Sequence, residues 1–246
     1  MKSHTQVVII GGGSLGISLL YHLTKEGWTD LLLVEKGELT SGSTWHAAGG
    51  FHTLNGDTNM AALQGYTIKL YKELEELTGM SCGLHHVGGV TLADTPERMD
   101  MLKAERAKHR YMGLDTQILS PAEIIDVAPA TNTAGLLGGL YDPLDGHLDP
   151  SGTTHAYARA ARMNGAEIEL HTKVIETNPR ADGSWEVVTD QGTVIAGHVV
   201  NAAGLWAREV GAMAGVYLPL HPMEHQYVVT DDIPQIYDRD REHPHV

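Results

Sequence analysis

The residues with the plainest chemical content stand near the start of the chain. Gly11, Gly13 and Gly16 are spaced as G-x-G-x-x-G, and Glu35 follows nineteen residues after the last of them. In this pattern the first glycine permits a tight turn and the second lets backbone approach a diphosphate. The third lets a helix pack closely on the preceding strand. The N–H groups and positive dipole end of that helix favour an anion. A carboxylate at Glu35 can accept hydrogen bonds from ribose hydroxyls and would repel a 2′-phosphate, which argues against NADP. A glycine motif alone is weak. Strand, glycines, helix, second strand and acid occur here in order, which favours a dinucleotide site over a ligand-free glycine-rich turn.

The positioning elements follow from the pattern around these residues. Val7-Val8-Ile9-Ile10 is an unbroken β-branched run, as a buried parallel strand requires, and Leu31-Leu32-Leu33-Val34 is the second. Gly27 is expected to stop the helix between them. Residues 36–50 are small, hydroxyl-rich and aperiodic, so they read as a loop lying over the ligand. A helix is expected over 59–77, with Leu63, Tyr66, Leu70, Leu74 and Leu77 as a core stripe. Further expectations are a strand at 88–93, helices at 96–111 and 121–127, and a strand over 134–141. Residues 142–150, rich in turn formers, read as a crossover between lobes. A helix over 151–164 follows. Short alternating runs at 167–170, 173–176, 185–189 and 193–195 predict a third parallel strand and a β-meander. Residues 198–204 read as a strand entering a second glycine turn, then a helix at 206–213. Residues 219–230 read as a long strand, and the chain from Asp231 as polar and irregular.

The chain has 246 residues, enough for one large domain or two lobes. Its 17 Lys and Arg against 31 Asp and Glu give a net charge of −14 with no basic run, so nucleic acid is an unexpected partner. The longest apolar stretch is broken by glycines, so no membrane span is expected. The fold starts close to Met1, leaving no room for a signal or transit peptide. The single cysteine, Cys82, suits a reducing compartment and reads as a structural thiol. The expected location is the cytoplasm, or the mitochondrial matrix in a eukaryote. Fifteen histidines invite a metal reading. Yet neither H-E-x-x-H nor paired C-x-x-C occurs, and His85 and His86 would face opposite ways in a strand, so no metal is expected.

Several segments together resemble one family. They are GGGSLG at 11–16 with Glu35, Gly42-Ser43-Thr44-Trp45-His46-Ala47-Ala48-Gly49, Gly146-His147-Leu148-Asp149-Pro150, Asn201-Ala202-Ala203-Gly204 with Trp206-Ala207-Arg208, and Glu224-His225-Gln226-Tyr227-Val228-Val229. The chain resembles the dimethylglycine and sarcosine dehydrogenases, within the D-amino-acid-oxidase family of flavoproteins, over essentially its whole length. The resemblance implies an α/β fold: a Rossmann-type FAD-binding lobe with a β-meander (1–83 and 150–215), plus an incomplete antiparallel-sheet substrate lobe (84–149 and 216–246).

It also implies FAD rather than NAD, covalently held through His46 to the flavin 8α carbon. The 11 residues from Glu35 to His46 can span up to about 36 Å, enough to run from ribose to ring system. The imidazole would be neutral to act as nucleophile. Further implied cofactor contacts are Lys36, Ser43, Thr44, Ala48, Val174 (backbone to adenine), Ala203, Gly204 and Trp206. His225 is implied to face the substrate amine and keep it neutral while hydride leaves an N-methyl carbon for flavin N5. A histidine, titrating near about 6.5, suits that task. The alternative for His225 is a hydrogen-bonded residue on a sheet face. Tyr227 would share that face in a strand and line the pocket.

The implied substrate is a small methylated amine. Electrons pass to oxygen or an acceptor protein, and the product is hydrolysed or captured by folate through a region absent here. The polar closing stretch does not read as a finished terminus. A truncated or non-catalytic FAD-binding chain needing a partner is therefore one alternative, and a nicotinamide-dependent dehydrogenase with the same fingerprint is another.

Overall fold

The computed structural model describes residues 1–52, 57–237 and 240–246, so Arg239 of the polar closing stretch lies outside the described residues. In chain order the elements are β1 (His4–Ile10), α1 (Ser14–Lys25), β2 (Leu31–Val34), β3 (Gly50–Phe51), α2 (Thr58–Thr78), β4 (Gly89–Ala93) and α3 (Pro96–Tyr111). Next come β5 (Gln117–Leu119), α4 (Pro121–Val127), β6 (Gly138–Asp142), β7 (Gly146–His147), α5 (Pro150–Met163) and β8 (Glu167–Glu169). The last are β9 (Val174–Pro179), β10 (Trp185–Thr189), β11 (Gly192–Asn201), α6 (Ala207–Met213) and α7 (Pro234–Tyr237). Single 3₁₀ turns occupy Thr44–His46 and Gly204–Trp206.

The chain divides into two compact units. Unit 1 comprises Met1–Ala48, Glu73–Cys82 and Asp149–His225; unit 2 comprises Gly49–Lys72, Gly83–Leu148 and Gln226–Val246. Residues 49–72, grouped with the nucleotide lobe in the sequence reading, cluster with unit 2.

Unit 1 is built on a six-stranded sheet in the order β8-β2-β1-β11-β10-β9. The first four strands are parallel, and β11-β10-β9 form the antiparallel meander. β1 is central, and its run Val7–Ile10 is buried, as is all of β2, the outcome expected for strands covered on both faces. The helix ends at Gly27 for a readable reason. Gly27 adopts φ +86°, its N–H donates to the Thr24 carbonyl, and the Trp28 N–H donates to that of Leu23, a Schellman closure. α5 packs small side chains inward, with Ala156, Ala158, Ala160 and Ala161 all buried, and Tyr157 meets Tyr21 of α1 at 5.5 Å between ring centroids. An apolar cluster gathers Val8, Ile10, Leu32, Val34, Val174, Val187, Val194 and Ala196, with Val210 and Met213 packed against it.

Unit 2 holds a three-stranded antiparallel sheet, β4-β6-β5, and the short pair β3-β7. α4 starts with a full capping box between Ser120 and Glu123 and proline at its first turn. Apolar side chains from α3 and α4, Leu102 and Ile124, sit in its two small cores.

Five local expectations change. The runs at 193–195 and 198–201 are one ten-residue strand, β11, because it pairs with β10 along its first half and with β1 along most of its length. The strand expected over 134–141 starts only at Gly138. Residues 219–230 form no strand: a strand needs a neighbour to take its backbone groups, and none pairs with this stretch among the described residues. The polar end contains one helical turn, α7. Of the stripe on α2, only Leu70 and Leu74 are buried, whereas Leu63, Tyr66 and Leu77 are exposed, and Thr78 continues the buried face.

Candidate functional site: a cleft at the carboxyl ends of the parallel strands

In unit 1 the sheet order places β1 beside β2 on one side and β11 on the other, and this is where the strand order reverses. Ligands of open α/β sheets bind outside the carboxyl ends of strands at such a point. A cleft of about 580 Å³ opens there. Gly11 and Gly13 after β1, Glu35 and Lys36 after β2, and Ala203, Gly204 and Trp206 after β11 all contribute to its wall.

The glycines are required by geometry. Gly11 has φ +117°, and a Cβ there would collide with the carbonyl oxygen of Ala202 in the neighbouring turn. A Cβ on Gly16 would strike the carbonyl oxygen of Gly11, so α1 can approach the turn only with glycine at that position. Gly16 thus shapes the cleft from behind its wall. α1 begins with Gly13 as a cap that offers no side-chain acceptor, and its first turn has no acidic residue. The Ser14 N–H donates to Thr44 Oγ1 at 3.1 Å, which ties the loop to the helix start.

Glu35 is held more firmly than its position alone suggests. Its Oε2 accepts from the Gly12 N–H at 2.6 Å, and its Oε1 accepts from the Gly37 N–H at 2.9 Å. A carboxylate offers about four lone-pair directions, so two remain for hydroxyls. Lys36 Nζ lies 2.9 Å from the centroid of the Trp206 ring. Burial lowers the Lys36 ammonium pKa, the Glu35 charge opposes this, and Lys173 adds to it.

Ser43, Thr44 and Val174 also line the cleft. His46 and Ala48 follow Thr44 as exposed residues, and the His46 ring lies against Trp45, with centroids 3.7 Å apart and planes tilted by 34°. His225 and Tyr227 are exposed and lie in irregular backbone, so the shared strand face expected for them is not formed. Cys82 is buried, and desolvation raises its thiol pKa, in keeping with a structural role.

Some contributors escaped the sequence reading. Thr40, at φ +67°, sends its N–H to the Gly12 carbonyl and lines the cleft. Asp190 accepts the Lys173 N–H at 2.9 Å, setting the edge beside Val174. Asn201 organises the second glycine turn: its Oδ1 accepts from the Ala203 N–H at 3.2 Å and its Nδ2 donates to the Ala207 carbonyl at 2.7 Å. An asparagine three residues before the glycine of a turn was the available signal for the last of these.

A glycine turn without room for a Cβ at Gly11 and Gly16, a helix start without acid and a two-amide carboxylate with spare lone pairs fit the diphosphate and ribose of a dinucleotide. Fold and cleft therefore define a dinucleotide-binding α/β protein. Residues 6–245 match the model of the family described as FAD dependent oxidoreductase, and the chain belongs to that family. It is 46% identical over 243 residues to the mitochondrial dimethylglycine dehydrogenase of Rattus norvegicus, covering 99% of this chain and 28% of that protein. It is 39% identical to the mitochondrial sarcosine dehydrogenase of Homo sapiens, covering 98% of this chain and 28% of that protein. Among solved structures, L-proline dehydrogenase from P. horikoshii superposes with a TM-score of 0.80 at 27% identity, covering 88% of this chain and 57% of that one. The chain spans little more than a quarter of the length of the two curated relatives. No described helix is long and apolar enough to cross a membrane.

Proposed function

We propose that this chain binds FAD in the unit 1 cleft and serves the oxidation of a small N-methylated amino acid of the dimethylglycine or sarcosine type. The observation that carries the reading is the cleft itself. Three sequence-distant turns meet there around one cleft, and the Ser43–Thr44 loop that leads to His46 forms part of its wall.

In this reading the Gly11–Gly13 turn and the start of α1 hold the diphosphate, Glu35 takes ribose hydroxyls, and the Val174 backbone faces adenine. Lys36, Ser43, Ala203, Gly204 and Trp206 supply further contacts. FAD, when bound, supplies a hydride acceptor at N5. His46, two residues beyond the wall, would hold the cofactor through its imidazole, and the Trp45 ring lies against that imidazole. A protonated amine has no lone pair to assist hydride departure from its methyl carbon, so a base must take that proton. His225 takes it on a ring nitrogen, and Tyr227 lines the substrate side.

The test is to incubate the purified chain with FAD, precipitate it with acid and measure flavin in the pellet. Flavin retained by the native chain and released from His46→Ala is the expected result; retention by the variant removes His46 from the attachment. Turnover of dimethylglycine or sarcosine with an artificial electron acceptor tests the reaction. His225→Gln is expected to slow it most where an imidazole is neutral and the amine still protonated, and least in acid; an unchanged profile removes His225.

A second reading is an FAD-binding portion that turns over only with further polypeptide. The exposed Tyr217, Met223, Tyr227, Val228 and Val229 favour it. Flavin binding without turnover is its signature.

A further inference from the structure

We propose that His85, His147 and Glu242, all in unit 2, form a binding site for one divalent first-row transition ion of the zinc class. None of the three belongs to the wall of the dinucleotide cleft, and the proposal stands whether or not FAD binds.

The three residues are far apart in sequence and converge through backbone pairing. The His85 N–H donates to the His147 carbonyl at 2.8 Å, and the His147 N–H donates to that of His85 at 3.0 Å. This double exchange is the hydrogen-bonded pair of an antiparallel ladder, which sends both side chains to one face. The rings accordingly stack, with centroids 5.0 Å apart and planes 10° from parallel. The approach is tight: a Cβ on Gly146 would collide with the His85 carbonyl oxygen. Glu242 arrives from the last segment, which is tied down beside β4. There the Val90 N–H donates to the His245 carbonyl at 2.8 Å and the His245 N–H to that of Gly88 at 3.0 Å.

The donor atoms are already close. His85 Nδ1 is 2.6 Å from Glu242 Oε1, and His147 Nε2 is 3.3 Å from Glu242 Oε2. One ligand atom from each residue lies within 4.8 Å of the other two. Around a tetrahedral zinc, ligands at about 2.0–2.1 Å from the metal sit roughly 3.3 Å from one another. The His147–Glu242 separation has that value, and the His85–Glu242 contact, to the other carboxylate oxygen, is shorter, so the carboxylate must shift. Glu242 is half-exposed and can make such a shift.

Two imidazoles and one carboxylate are a borderline-soft set. They suit zinc and its neighbours better than calcium or magnesium, which take mostly oxygen. Three protein ligands leave a fourth position for solvent. A further histidine stands alongside: the His245 ring is 5.6 Å from that of His147, and its Nε2 is buried with no hydrogen-bond partner. Asp145 is engaged elsewhere, accepting from His52 Nδ1 at 2.8 Å. In the ion-free state Glu242 bridges the two rings by accepting N–H bonds. Binding replaces those shared protons with the metal.

The experiment uses the whole 246-residue chain, stripped with a chelator and titrated with Zn²⁺ by calorimetry. Co²⁺ visible absorption serves as a second probe of coordination. One ion per chain is expected. Glu242→Gln, which keeps size and shape, and His85→Ala are each expected to weaken binding roughly tenfold or more. His86→Ala, whose ring faces Phe51 edge-on, is expected to leave it unchanged. Thermal melting of each variant verifies folding, and Glu242→Gln carries the test should His85→Ala or His147→Ala unfold. Absence of saturable binding, or equal binding by the native chain and folded Glu242→Gln, would overturn the proposal, since the ion would then sit on other histidines.

Discussion

The unit 1 cleft and the unit 2 histidine cluster are built by opposite routes. The cleft takes its working parts from the ends of strands that neighbour one another in the sheet, and each part carries a local signature: glycines at fixed offsets after β1, an acid at the end of β2, an asparagine before the turn after β11. The histidine cluster has no such signature. His85, His147 and Glu242 sit at unrelated positions, and they meet because β-bridges hold three segments of backbone side by side. A turn that must accommodate a diphosphate constrains neighbouring residues, whereas a cross-strand cluster constrains only partners chosen by the fold.

The sharpest way to break the contrast is at Gly16. Replacing it with valine puts side-chain atoms where the Gly11 carbonyl already lies. Small-to-large changes in packed sites cost about 1–3 kcal/mol or more, and here the obstacle is backbone. FAD affinity, followed by flavin fluorescence quenching, is expected to be lost, with a lower melting temperature. Retained affinity would mean that the turn does not hold the diphosphate.

Glu35→Gln tests the same turn more gently. It removes the charge from two amide-to-carboxylate hydrogen bonds, each of a kind contributing about 1.5–3 kcal/mol. Affinity for FAD is expected to fall by tenfold or more while the fold survives, as judged by circular dichroism.

The smallest expected effect lies in unit 2, at His109 on α3. It is fully buried, its Nδ1 is 3.3 Å from Thr116 Oγ1, and its Nε2 has no hydrogen-bond partner. Desolvation lowers its pKa, against opposing pulls from Glu105 and Asp142. The unfolded chain therefore takes up a proton at a higher pH than the folded one. Stability from this group is full above about pH 6.5 and declines as the pH falls below it, by at most about 1.4 kcal/mol per pH unit. Denaturant midpoints measured from pH 7.5 to 5 are expected to fall less steeply for His109→Leu than for the native chain. Identical slopes would show that His109 is not the group responsible.

β1, α1 and β2 were legible because a buried parallel strand, a glycine-capped helix and a dinucleotide turn each impose their own residue types. The meander was legible from alternation, yet the fusion of two runs into β11 was not, since one strand pairs with different neighbours along its length. The stretch at 219–230 misled for the converse reason: its pattern suits a strand, but a strand exists only where another backbone answers its N–H and C=O groups.

By itself, then, the order of residues determined the nucleotide turn, the acid that closes the second strand and the family likeness, because short-range sterics and hydrogen bonding act between near neighbours. Tertiary structure alone decided that Glu35 grips the Gly12 amide, that Lys36 lies over Trp206, and that two distant histidines share one carboxylate. Those contacts depend on which strands lie side by side, and that is settled by burial of the whole core rather than by any single segment.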